Sequence, residues 1–216
     1  MPSHPSATHS YPDLATLVMA AALLILLEYG ASQLPSDWPI LIRIGALRLV
    51  QCAVLGGLLF LRRLPPYAIG LGRRSFIPGI KTGIGGCIFM GFLALIVGGS
   101  LWMHDIAPLP LIRVQLPSAG PELLLFFVVG GIIAPVAEEL LFRGFIFSYL
   151  RQYGWIPALL ISTTFFAMLH PTPHITQWVG GVVFGIAYGI SGSLLAPILI
   201  HICGNLTLFT LSLLIF

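Results

Sequence analysis

An all-α, polytopic membrane helix bundle of about seven or eight spans is what this sequence predicts, and three observations carry that reading. Of the 216 residues, 57% are hydrophobic and only 8% are charged, whereas a soluble domain carries roughly 25% charged residues. The apolar residues fall in runs long enough to cross a hydrocarbon core, which takes about 20 helical residues. One such run, Pro121 to Leu150, holds an adjacent pair of carboxylates, Glu138 and Glu139. An ionised group at bilayer depth costs a few kcal/mol or more, so such groups pair, face a wet cavity or perform chemistry.

The first thirteen residues, MPSHPSATHSYPD, contain no Lys or Arg. A secretory signal begins with basic residues, so 1–13 reads as a flexible tail, with His4 and His9 unstructured, ahead of a retained first span. Residues 14–216 then form a single transmembrane domain. Spans are expected near 14–34, 40–61, 79–103, 121–150, 155–170, 175–190 and 194–215. Glu28 in the first span has Arg43 or Arg48 in the second as a partner. The segments from 155 to 190 are short, and Pro171 and Pro173 between them cannot continue a regular helix. They read as a broken or re-entrant pair, tolerated where protein or water satisfies the backbone. Gly181, Gly185 and Gly189 form a ridge of small residues that allows close helix approach.

Arg62, Arg63, Arg73, Arg74 and Lys81 crowd the link between the second and third spans. The positive-inside rule places that link, and therefore the N-terminus, in the cytoplasm. His104 and Asp105 fall in the opposite, external loop. The net charge of +3 comes without a basic stripe interleaved with aromatics, which excludes a nucleic-acid partner. Cys52, Cys87 and Cys203 are far apart and odd in number, which suits small packing residues and neither a disulfide framework nor a metal pair.

Residues four apart share a helical face, while neighbours diverge by about 100°. Glu139 and Arg143 therefore stack as an ion pair, and Glu138 points elsewhere with no local cation. Pro135, one turn earlier, removes a backbone hydrogen bond and provides for a kink that opens space beside Glu138. Two later spans bring imidazoles: Phe166 with His170, and His201 with Asn205, each pair on one helical face. Simple helical arithmetic leaves the three unlevel. At 1.5 Å per residue, Glu138, His201 and His170 lie roughly 18, 10 and 22 Å from the same end of their spans.

Together the motifs Glu138-Glu139-Leu-Leu-Phe-Arg143, Phe166 to His170 and His201 to Asn205 resemble the CPBP (Abi) family of intramembrane proteases. That family includes the Ras-converting type of CAAX prenyl endopeptidase. The resemblance covers roughly 121–210 and implies peptide-bond hydrolysis near the C-terminus of a membrane-associated or lipidated substrate. Glu138 would serve as general base toward a water, with His170 sharing that water and protonating the leaving amine. His201 and Asn205 would donate to the oxyanion. Glu139 and Arg143 would hold the helix, and Phe166 would shape the pocket.

A metal-assisted variant uses Glu138, His170 and His201 as three ligands of zinc or another divalent ion, with an open position for water. The chain has no HExxH spacing, so the metal-free form is preferred. Ser148, Ser162 and Cys203 have no evident base, which argues against a covalent nucleophile. Two other classes stand beside the hydrolase: a proton-coupled carrier using the same Glu and His residues, disfavoured by the lack of internal repeats, and a non-catalytic immunity or partner-binding membrane protein.

Overall fold

The computed structural model describes residues 11–33, 37–118, 120–170 and 175–215. Among these are seven helices and no strand: α1 (Leu14–Ser32), α2 (Ile40–Leu61), α3 (Phe76–Met103), α4 (Pro121–Tyr153), α5 (Trp155–Met168), α6 (Ile175–Ser191) and α7 (Leu195–Ile215). Five helical segments are long and apolar enough to cross a membrane, while α5 and α6 are shorter. Most of the expected tail, including His4 and His9, lies outside the described residues. So does 171–174, the expected break between α5 and α6.

The helices alternate in direction, so the ends of α2, α4 and α6 gather with the starts of α1, α3, α5 and α7. Two polar clamps fix the first hairpin. Asp13 caps α1 by accepting from the amide and hydroxyl of Thr16 at 2.8 and 2.6 Å, and Arg62 at the end of α2 reaches the same carboxylate at 2.8 Å. At the other end Arg48 and Gln51 both donate to Glu28 at 2.9 Å, whereas Arg43 instead donates to the Ala31 carbonyl. Of the two partners the sequence offered Glu28, packing selects Arg48.

Large apolar side chains such as Phe60, Ile25 and Leu214 point outward. A soluble monomer avoids an apolar exterior of this extent, and here it forms the lipid-facing belt of a multi-pass membrane protein. Buried aromatics concentrate inside α4–α7: Phe142, Phe166 and Phe184 share one cluster with Ala196 and Ile200, and Phe147 and Tyr188 share another. Small residues set the helix spacing. A Cβ on Gly79, Gly83 or Gly86 of α3 would run into Ser193, Leu199 or Ile200 at the start of α7. Gly181, Gly185 and Gly189 bring α6 against Thr163, Leu159 and Trp155 of α5, which is the ridge read from their spacing. Cys87 contacts the Leu199 carbonyl across the α3–α7 seam, and Cys203, which is exposed, meets the Cys87 side chain. The distance in sequence between these two hides that they lie on packed helices.

The connector between α2 and α3 makes two short 3-10 turns, Pro66–Ile69 and Arg73–Ser75. Between them Gly70 adopts φ 78° and its carbonyl accepts from the Leu194 amide at 3.0 Å. Ser193 and Leu194 are buried beneath this connector, which ties the start of α7 to it.

Candidate active site

Glu138 and Glu139 sit in a short α-helical stretch, Ala134–Glu139, flanked by two stretches of wider i→i+5 helix, Val129–Ile133 and Leu140–Phe147. Such π-type stretches are rare and recur at functional sites. The first has a local chemical consequence. The Ala134 amide is committed to the Val129 carbonyl, and residue 135 is proline, with no N–H to give. The Gly130 carbonyl is therefore left without a backbone donor. Asn205 on α7 fills the vacancy, its Nδ2 donating to that oxygen at 2.9 Å. The helix-breaking proline and the amide of the third motif thus belong to one arrangement.

Glu139 and Arg143 are fully buried and joined at 3.0 Å. The Arg143 guanidinium also donates to the Gly181 carbonyl at 3.0 Å and lies 4.7 Å from the Phe166 ring and 5.4 Å from the Phe184 ring. A buried ion pair needs further hydrogen bonds to offset its desolvation, and these contacts supply part of that. The same Glu139 Oε1 meets His201 Nδ1 at 2.9 Å. Its Oε2, and Arg143 Nε, find no hydrogen-bond partner among the described residues.

Both imidazoles are held by the nitrogen that faces away from Glu138. His170 Nδ1 lies 2.7 Å from the Phe166 carbonyl, an acceptor only, so that nitrogen carries the hydrogen. His201 Nδ1 faces the Arg143-bound carboxylate of Glu139 and donates likewise. In the neutral rings each Nε2 then presents a lone pair. The two Nε2 atoms face the same atom, Glu138 Oε2, at 4.0 Å from His170 and 3.8 Å from His201. Those separations exceed a direct hydrogen bond. Glu138 and His170 keep a fifth to a quarter of their side-chain surface open, whereas His201 is nearly closed off.

Phe166 is the hinge of this cluster, its ring 4.8 Å from His170 and 5.7 Å from His201. Phe184 stacks on the His201 ring at 4.6 Å and 19°. Neither Phe184 nor Gly181 was singled out for the site from sequence. They lie on α6, which carries no motif, and only the Gly181 ridge hinted that α6 comes close to its neighbours.

Glu138, Glu139, Arg143, Phe166, His170 and His201 thus assemble into one cluster despite the unequal helical counts. Asn205 stands apart from Glu138 in its contacts, bound to the backbone of α4. As for a divalent ion, a tetrahedral zinc site with bonds near 2.0–2.1 Å separates its ligand atoms by about 3.3 Å. The two Nε2–Oε2 gaps are wider, and no trio of His, Cys, Asp or Glu among the described residues meets metal-site geometry.

A bundle of this kind, with an acid–imidazole cluster sealed behind a buried Glu–Arg pair, defines a multi-pass membrane protein with a polar centre. Residues 120–207 match the family model described as Type II CAAX prenyl endopeptidase Rce1-like, so this segment is similar to that CAAX (CPBP) protease family. All three motifs fall inside the matched stretch. No curated protein and no solved structure matches the chain.

Proposed function

We propose that the protein is a glutamate-type intramembrane endopeptidase that cuts near the C-terminus of a membrane-associated or lipidated protein or peptide. The convergence of both Nε2 atoms on Glu138 Oε2 carries this reading. A water seated to one side of those gaps reaches all three atoms at hydrogen-bonding distance. Glu138 takes its proton as the oxygen attacks the scissile carbonyl. His170 Nε2 shares the water, receives that proton from Glu138 and passes it to the departing amine, so the peptide C–N bond breaks as the tetrahedral oxyanion collapses to the new carboxyl group.

Proton accounting supports separate tasks for the two histidines. One water has two hydrogens, while Glu138 and two neutral imidazoles offer three acceptors. A proton on His201 Nε2, whose far nitrogen rests on Glu139, would put a donor at the reaction centre. That donor, with the second N–H of Asn205, stabilises the oxyanion, a type of contact that contributes roughly 3–4 kcal/mol in known hydrolases. Glu139 and Arg143 hold His201 and the helix, and Phe166 forms the floor.

The test is cleavage of a prenylated C-terminal peptide by purified protein. Glu138→Gln and His170→Ala should each lower the rate by about 10²–10⁴, and wild-type rates in both would end the proposal. Loss of proton flux in proteoliposomes from the same variants, without any peptide cleavage by wild type, would favour the carrier. Chelation with metal add-back decides the cofactor: activity that survives chelation removes the zinc form.

A further inference from the structure

A second hollow lies at the opposite end of α4 from its Pro121 start, away from the Glu138 cluster. It holds about 170 Å³, open on one side, and its lining includes Tyr11, Tyr67, Ser148, Arg151 and Tyr188. Those groups come from four separate parts of the chain: the stretch before α1, the α2–α3 connector, the end of α4 and the end of α6. Among the described residues, no acidic side chain lines it. Ser148 spans the wall, hydrogen-bonded to the Tyr188 hydroxyl at 2.6 Å and donating to the Arg143 carbonyl at 3.1 Å. The left-handed turn at Gly192, φ 61°, completes the rim.

The lining therefore offers one guanidinium, phenol hydroxyls and no competing carboxylate. A guanidinium fork matches the paired oxygens of phosphate, as it does those of a carboxylate. Arg62, Arg63, Arg73 and Arg74 stand at the same end of the bundle, a field that concentrates anionic lipid at a membrane surface. Arginines and tyrosines scattered at an interface are ordinary anchors. What sets these apart is convergence on one concavity at the headgroup level, where the apolar length of α4 runs out.

We propose that this hollow is a binding site for the phosphate of an anionic membrane phospholipid, gripped by Arg151 and the Tyr67 and Tyr11 hydroxyls. The bound headgroup would tie the N-terminal hairpin to the ends of α4 and α6. It is independent of the hydrolytic reading, so each stands or falls alone.

The test uses the full chain, delipidated and then offered vesicles of phosphatidylcholine alone or mixed with phosphatidylglycerol. Lipid retention is read by native mass spectrometry, and unfolding temperature is read alongside. Wild type should retain phosphatidylglycerol in preference to phosphatidylcholine and unfold at a higher temperature with it. Arg151→Gln should weaken that retention at least tenfold, while Arg74→Gln, at the same end but outside the lining, should change it little. If Arg151→Gln fails to fold, Tyr67→Phe carries the test, since its half-exposed ring can lose a hydroxyl without disturbing the core. Equal retention of both lipids, or retention indifferent to Arg151 and Tyr67, overturns the proposal. Displacement of the lipid by millimolar inorganic phosphate with the same stabilisation would show that free phosphate is the ligand, and the lipid assignment falls.

Discussion

At the residue scale, Glu138 and Glu139 show how neighbours in sequence acquire opposite surroundings. Glu139 is fully enclosed between Arg143 and His201, whereas Glu138 opens onto two imidazole nitrogens and a gap. Substituting the enclosed one should act through the fold. Arg143→Met leaves the Glu139 charge without its cation, and breaking a buried pair in this way costs about 3–5 kcal/mol. Thermal unfolding should drop accordingly, and an unchanged transition would show that Glu139 is not held as a charge. Phe184→Leu keeps apolar volume but removes the ring stacked on His201. Such aromatic pairs contribute about 0.5–1.5 kcal/mol, so cleavage should slow with little change in KM. A purely KM effect would refute a role in orienting His201. The diverging faces of Glu138 and Glu139 were legible from the 100° helical step. The Phe184 stack was not, because it joins residues on helices with no shared motif.

At the element scale, the coupling of Pro135, the wide helical stretch before it and Asn205 makes a sharp prediction. Pro135→Ala restores an N–H that can serve the Gly130 carbonyl. Asn205→Ala should then be less damaging to stability in the Pro135→Ala background than in wild type. A double-mutant cycle measures that coupling, and strictly additive effects would deny it. The start of α1 offers a second test. Hydrogen bonds from the Thr16 hydroxyl and amide, with Arg62 nearby, hold the Asp13 carboxyl below its ordinary value. A lowered folded-state value means this contribution is present above the ordinary carboxylate range and is lost as pH falls through the lowered one. Asp13→Ala should cost about 1 kcal/mol, as removal of an N-cap does, and its effect on unfolding temperature should shrink in acid. The helices themselves, and nearly all their ends, followed from apolar run length and from proline and glycine punctuation. The two wide stretches did not. An i→i+5 turn depends on which carbonyls find other partners, and a linear sequence does not contain that information.

At the scale of the whole molecule, Arg62, Arg63, Arg73, Arg74 and Arg151 gather at one end of the bundle, where the alternating helices bring the α2–α3 connector beside the α4–α5 turn. By the positive-inside rule we propose that this end is cytoplasmic. In intact cells, a cysteine introduced at Arg74 should resist a membrane-impermeant thiol reagent, while one introduced at His104 should react, in a background lacking Cys52, Cys87 and Cys203. The reverse pattern would invert the topology. Much of the polar cluster was readable from the chain itself. Strongly apolar composition demands a lipid solvent, and few polar residues survive there without a purpose, so Glu138, Glu139, Arg143, His170, His201 and Asn205 declared themselves by scarcity. Helical periodicity also announced the Glu139–Arg143 pair. Only the folded molecule determined that three side chains at unequal helical depths come level. His201 on α7 comes within 3.8 Å of Glu138 on α4 only through the packing of those helices. Likewise, only packing assigned Asn205 to the Gly130 carbonyl and chose Arg48 for Glu28. Contacts between distant segments depend on which backbone groups are left unpaired and how closely small residues let helices approach, quantities that exist only once the chain has closed on itself.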